Sequence, residues 1–325
     1  MLHAAYEPTN DPEVIDMIQK NVSRILVPSL LMALAIASQG FSDYALEIGF
    51  RLLVMITLAE AWNLLAGYGG LVSLGTASFV GIGAYALTGL VNKAHCPLYL
   101  AIPAAGLAAS LLALLVSRAV FRLRGLYFTV GTLALAEALR MFMVNYDGFG
   151  GASGLFLAED PPSLYVLFCI ALVLMAFTTL VMSIATASRF SILLRSVRDD
   201  EDAAAQIGVR AFRIKLIAFV VASFLMGMAG ALQGLKVGTV EPYGMFGIQW
   251  TVSVLSIVII GGQGLRWGPI VGALFVIALG ELLADYPALH LAITGLILIV
   301  VIRFAPKGLV GLASAMSAKK QGAVT

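Results

Sequence analysis

Continuously apolar stretches, each close to the roughly 20 residues that a helix needs to cross a hydrocarbon core of about 30 Å, recur along almost the whole chain. They fall near residues 24–40, 45–65, 71–92, 97–117, 125–145, 163–186, 214–236, 248–263, 268–285 and 288–304. The runs are unbroken rather than alternating, and inside a bilayer every backbone N–H and C=O must be satisfied by the protein itself. Helices, not barrel strands, are therefore expected. Composition agrees: 60% of residues are hydrophobic and 12% charged, against about 25% charged in a typical soluble domain, and mean hydropathy is +0.97. The expected class is an all-α integral membrane protein with about ten transmembrane helices, some of them short or broken.

Basic residues set the expected orientation. Lys20 and Arg24, then Arg118, Arg122 and Arg124, the loop from Arg189 to Lys215, Arg266, and finally Arg303, Lys307, Lys319 and Lys320 share one side if all these windows span. The positive-inside rule makes that side cytoplasmic, with both termini on it. The opposite loops carry Asp43, Glu47, Asp147, Glu159, Asp160 and Asp285. Residues 1–23 then form a cytoplasmic N-terminal segment, 24–311 a transmembrane domain with a cytoplasmic loop at 187–213, and 312–325 a cytoplasmic tail. Before the first run stand Glu7, Asp11, Glu13 and Asp16, without the basic start or small-residue cleavage site of a signal peptide, so this segment is expected to be retained. A net charge of +2 in scattered loops gives no footprint for nucleic acid.

The one long charged interruption is LRSVRDDEDAAAQIGVRAFRIK, Leu194 to Lys215. It reads as a short helix: Asp199 and Asp200 are placed to cap it, Glu201 and Asp202 suit its positive end, and Gly208 supplies the stop. Two turns are marginal in water, so such a helix needs support from neighbouring spans or from a docked protein; the plain alternative is a solvated loop. Three loops are rich in glycine, at Gly67–Gly70, Gly148–Gly154 and Gly261–Gly268. None is followed by the Lys-Ser/Thr of a phosphate loop, so no Walker-type ATPase site is expected. Cys96, Cys169 and the three histidines lack metal-ligand spacing, and no catalytic constellation stands out.

Polar groups near the second run are the candidates for a solute path: Asn63, Ser73, Thr76 and Ser78, with Gly69, Gly70 and Gly75 freeing backbone amides. A path for a small polar solute needs weak, replaceable contacts. Phe79, Tyr85, Tyr127 and Phe128 would supply its apolar wall. Polar glue between helices and ordinary aromatic packing explain the same residues. Glu60 lies within a span, where an ionisable group needs a partner or a cavity. Glu137 and Arg140 share a helix face and are placed to neutralise each other.

The run WNLLAGYGGLVSLGTASFVGIGAYA, Trp62 to Ala86, resembles the most recognisable block of the LivM-type permeases of branched-chain amino acid ABC importers. RGLYFTVGTLALAEALR (Arg124–Arg140) followed by GGASGL (Gly150–Leu155), the stretch Arg195–Gly234, GGQGLRWGPIVGA within Val254–Gly280, and RFAPKGLVG (Arg303–Gly311) are similar to further blocks, in order, over residues 50–311. Thr76 stands where many relatives have His, and Ser153 at an often acidic position. The resemblance implies an ABC importer permease fold in a bacterial inner membrane. It implies pairing with a homologous LivH-type subunit, two cytoplasmic ATP-binding subunits that hydrolyse ATP while this chain binds no cofactor, and substrate delivery by a periplasmic binding protein. Asp199, Asp200, Glu201, Asp202, Ala203, Ala204, Ala205, Gln206, Ile207 and Gly208 would form the coupling helix. Permeases with similar blocks handle urea, short amides or small carboxylates. A rival of another class is an ion-coupled secondary transporter using Glu60 and Glu137.

Overall fold

In the computed structural model the structure describes residues 40–158, 160–284, 287–304 and 308–312. The segment 1–23, the expected span at 24–40 except its last residue, and nearly all of the tail at 312–325 lie outside them.

The described chain is helical apart from short connections. After Ser42, whose hydroxyl caps the first turn, α1 runs from Asp43–Asn63 and continues into a π-helical turn, Leu64–Tyr68. Then follow α2 (Thr76–Ala94), α3 (Leu98–Val120), α4 (Leu126–Asn145) and α5 (Leu164–Ala187). Two helices, α6 (Arg189–Asp199) and α7 (Glu201–Gln206), precede the long α8 (Ala211–Val237). The short α9 (Pro242–Met245), α10 (Ile248–Gly261), α11 (Gly268–Leu282) and α12 (Pro287–Phe304) complete the order. Two-residue strands β1 (Leu155–Phe156) and β2 (Thr239–Val240) pair antiparallel.

Among the described residues, six segments are long and apolar enough to cross a membrane: α1 with its π turn, α3, α4, α5, α8, and α9 with α10. The expectation of about ten spans is thus met only in its coarser part, a multi-pass helical membrane protein. The window expected at 71–92 explains part of the difference. Its first residues are not helical, and α2, which begins only at Thr76, is long enough at 19 residues but carries too many small and polar residues to be as apolar as the six. The window at 268–285 becomes the 15-residue α11.

Small residues decide which helices touch. α8 packs against both α2 and α3, and the crossings are made of glycine and alanine. A Cβ added at Gly83 would run into the backbone of Gly227, one at Gly230 into the backbone of Val80, and one at Gly227 would strike Ala109. Such crossings bring helix backbones into van der Waals contact, the main source of attraction between helices in a solvent as apolar as their side chains. Phe79 and Phe219 pack edge to face beside them, their centroids 5.4 Å apart. The apolar window of α1 is 78% buried, whereas that of α4 is 22% buried. α1 is therefore a central helix and α4 a peripheral one.

Gly230→Leu should cost about 1–3 kcal/mol through overpacking, lowering the thermal unfolding midpoint in detergent. Gly89→Ala, on the same bundle but in open space, should leave the midpoint unchanged or slightly higher, since Ala is the better helix former. Equal effects would contradict the close crossing.

Candidate functional site

Two regions carry chemistry. The first is the end of the bundle where basic residues gather. Arg198 donates from Nη1 to Gly67 O at 2.9 Å, and Arg195 lies over the Tyr68 ring, 4.9 Å from its centroid, so α6 is clamped onto the π turn. Arg266 donates to Thr186 at 3.0 Å and to Ser183. Gln263 donates to Ala66 O at 3.0 Å. Asn63 donates to Leu265 O at 3.1 Å and accepts from Gly264 N at 2.8 Å. The glycine loops at 67–70 and 261–268 thus lock together. π turns inside helices recur at functional sites.

The charged interruption is more structured than a single short helix. Ser191, Leu194 and Val197 form a buried stripe that seats α6 on the bundle. Asp199 ends α6 and pairs with Arg198 at 2.8 Å. Asp200 caps α7, its Oδ1 accepting from Asp202 N at 3.0 Å and Ala203 N at 2.9 Å. The helix spans Glu201–Gln206, less than the expected 199–208, and Gly208 closes it at φ +88°. Ala204 is buried, and the nearly buried Lys215 at the start of α8 holds Glu201 at 2.5 Å. Asp202, Ala203, Ala205, Gln206 and Ile207 face outward, and Ile207 is 78% exposed.

The second region lies deeper. Between Tyr68 and Thr76 the chain is irregular yet mostly buried, so its backbone groups need side-chain partners. Thr129 donates to Val72 O at 2.8 Å, Trp62 Nε1 to Ser73 O at 2.8 Å, and Thr251 to Leu74 O at 3.1 Å. Leu74 N donates to Thr132 at 2.9 Å, and Gly75 N to Ser73 Oγ at 3.1 Å. Beside Leu74 and Ala77 opens a cavity of about 540 Å³ between α4, α9 and α10. Glu137 and Arg140 pair on its α4 wall, and Arg140 lies over the Tyr243 ring, 5.1 Å from its centroid.

None of the residues singled out for a solute path lines this cavity. Asn63 and Ser73 are engaged in the internal bonds given above. Phe79 is buried in packing, and Gly69 and Gly70 abut Leu194 and Arg198 of α6. Gly75 abuts Thr132. The hydroxyls of Thr76 and Ser78, in the first turn of α2, are buried without a hydrogen-bond partner, as is that of Tyr85. Tyr127 is 77% exposed at the start of α4. Tyr243, Gln249 and Thr251 of the cavity carry no sequence signal of a site, because the four residues of α9 are too few for a period and the scattered polar residues of α10 mark no single face. Glu60 is buried and accepts from Thr179 at 2.9 Å, an interhelical hydrogen bond.

A multi-pass helical protein with an irregular buried segment beside a largely apolar cavity that carries one ion pair has the architecture of a membrane transport component. The family described as the permease component of branched-chain amino acid transport systems matches residues 44–302, and the chain belongs to that family. It is 27% identical over 332 residues to the high-affinity branched-chain amino acid transport system permease protein LivM of Escherichia coli (strain K12), covering 92% of this chain and 77% of that protein. The LivM protein of Salmonella typhimurium (strain LT2) is 28% identical over 320 residues, covering 86% and 74%. No solved structure matches.

Lys215→Met should free α7: amide hydrogen exchange across 201–206 rises, because a largely buried cation is removed from Glu201. Arg124→Ala, which breaks only an exposed pair with Asp202 at 3.6 Å, should leave that exchange unchanged, as exposed pairs contribute little.

Proposed function

We propose that this chain is the permease subunit of an ATP-binding cassette importer in a bacterial inner membrane. It forms half of the pathway for branched-chain and other hydrophobic amino acids. The observation that carries the reading is the membership of the chain in the branched-chain amino acid permease family over most of its length. The names of its LivM relatives support the cargo.

In this reading the basic end faces the cytoplasm, together with both termini, the loop at 187–213 and the tail at 312–325. The chain binds no cofactor and has no ATPase site of its own. Two cytoplasmic subunits hydrolyse ATP, a homologous LivH-type permease supplies the other half of the path, and a periplasmic protein delivers the substrate. The segment from Asp199 to Gly208 is the coupling element. Its clamped inner face and bare outer face suit an element that passes on the movement of a docked ATPase as a rigid body. The polar first turn of α2 and the irregular segment before it border the pathway.

Two results test this. Cells lacking the gene should lose vanadate-sensitive uptake of labelled leucine and keep uptake of labelled urea; loss of urea uptake alone would keep the machine and overturn its cargo. Ile207→Asp should abolish co-purification of the ATPase subunits while the permease still reaches the membrane. Substitutions at Asp200 or Glu201 would also break the helix cap or the Lys215 pair, so exposed Ile207 separates docking from folding. Unchanged co-purification would remove the docking role.

A further inference from the structure

The cavity carries on its α4 wall a charge pair that is costly on a lipid-facing surface. Glu137 and Arg140 lie past the middle of α4, a 20-residue apolar helix, and the Glu137 side chain is 52% exposed. Charged side chains at that depth face a protein interior or a water-filled cavity. Here they open onto about 540 Å³ of space, within the range of small-molecule sites. The rest of the lining is apolar, with Leu133, Ala136, Phe246 and Ile248 among it.

The start of α2 adds a second element. Leu74 and Ala77 line the same cavity, so the N-terminus of a 19-residue helix borders it from within the bundle. Of its first-turn amides Ser78 N bonds to the capping Gly75 O at 3.0 Å, and the helix dipole favours an anion at this end. Broken helices whose N-termini meet an anionic solute group at membrane depth are a recurrent solution in transporters.

We infer that this cavity is a transit site for a zwitterionic α-amino acid with an aliphatic side chain. The solute's carboxylate faces Arg140 and the start of α2, its ammonium faces Glu137, and its side chain lies against Leu133, Ala136 and Phe246. The Glu137–Arg140 pair keeps the empty site neutral and opens to admit a solute carrying the same two charges. No new net charge is buried at any stage, which keeps the contacts replaceable. The inference deepens the importer reading and rests on it.

The test uses cells carrying the chain with its native partners, in which deletion of the gene abolishes labelled leucine uptake and the wild-type chain restores it. Glu137→Gln with Arg140→Gln, present in the membrane at wild-type level, should lower the maximal uptake rate about tenfold or more, the scale of one lost charged hydrogen bond. The apparent KM, set by the delivering protein, should stay unchanged. The charge-swapped pair, Glu137→Arg with Arg140→Glu, restores a structural ion pair but reverses the polarity met by the solute, and should be equally slow. Wild-type rates in the neutral or the swapped variant would overturn the site. If neither accumulates, Leu133→Trp fills the cavity without touching the pair: a similar fall supports the site and a wild-type rate overturns it. Leucine uptake that persists on deletion of the gene would instead defeat the importer reading, and the ligand named here with it.

Discussion

The structure depends on how the backbone between Tyr68 and Thr76 is satisfied. Irregular chain buried in a membrane bundle leaves amides and carbonyls without a ladder, and each unpaired group would cost about 1–3 kcal/mol. Here the partners come from three helices and from the segment itself: Trp62 of α1, Thr129 and Thr132 of α4, Thr251 of α10, and Ser73. The segment in turn ties the peripheral α4 to the central helices. Because it is held by side chains, α2 can begin inside the bundle, and its polar first turn comes to lie beside the cavity.

α8 connects the two regions. It starts at the basic end, where Lys215 holds Glu201, crosses α2 and α3 through glycine contacts, and ends at Lys236, which pairs with Glu47 at 2.8 Å. A helix held at both ends and packed backbone to backbone in between is built to behave as one rigid element. Packed interfaces of this kind shift between discrete arrangements rather than deforming gradually. In the proposed importer a push on α7 would reach α2, and with it the border of the cavity, through the Lys215–Glu201 pair and α8.

Much of this was legible in the sequence. Continuous apolar runs marked the helices now seen from Asp43 to Phe304, and Asp200 and Gly208 marked the ends of α7 by their capping chemistry. The gathering of basic residues is matched by the contacts of Arg195, Arg198 and Arg266 at one end of the bundle. Less was legible where apolar pattern and secondary structure part ways. Leu71 to Leu74 are as apolar as any helix, yet glycines at 69, 70 and 75 and side-chain partners far away in sequence make them irregular. The amphipathic α6 was hidden among charges, and the strand pair of β1 and β2 is too short to leave a pattern. The cavity needed three dimensions, because it joins residues 74–77, 133–140 and 243–251 through helices whose inner faces carry no compositional mark.

In the proposed importer this chain supplies a path and takes its energy from subunits docked outside the membrane. The most direct measurement reconstitutes the whole assembly in liposomes and follows labelled leucine, with ATP on the side of the basic loops and a protonophore present or absent. ATP-dependent leucine movement that the protonophore leaves unchanged is the expected result. Movement that needs no ATP and collapses with the proton gradient would contradict the account and make Glu60 and Glu137 the coupling groups of a different machine.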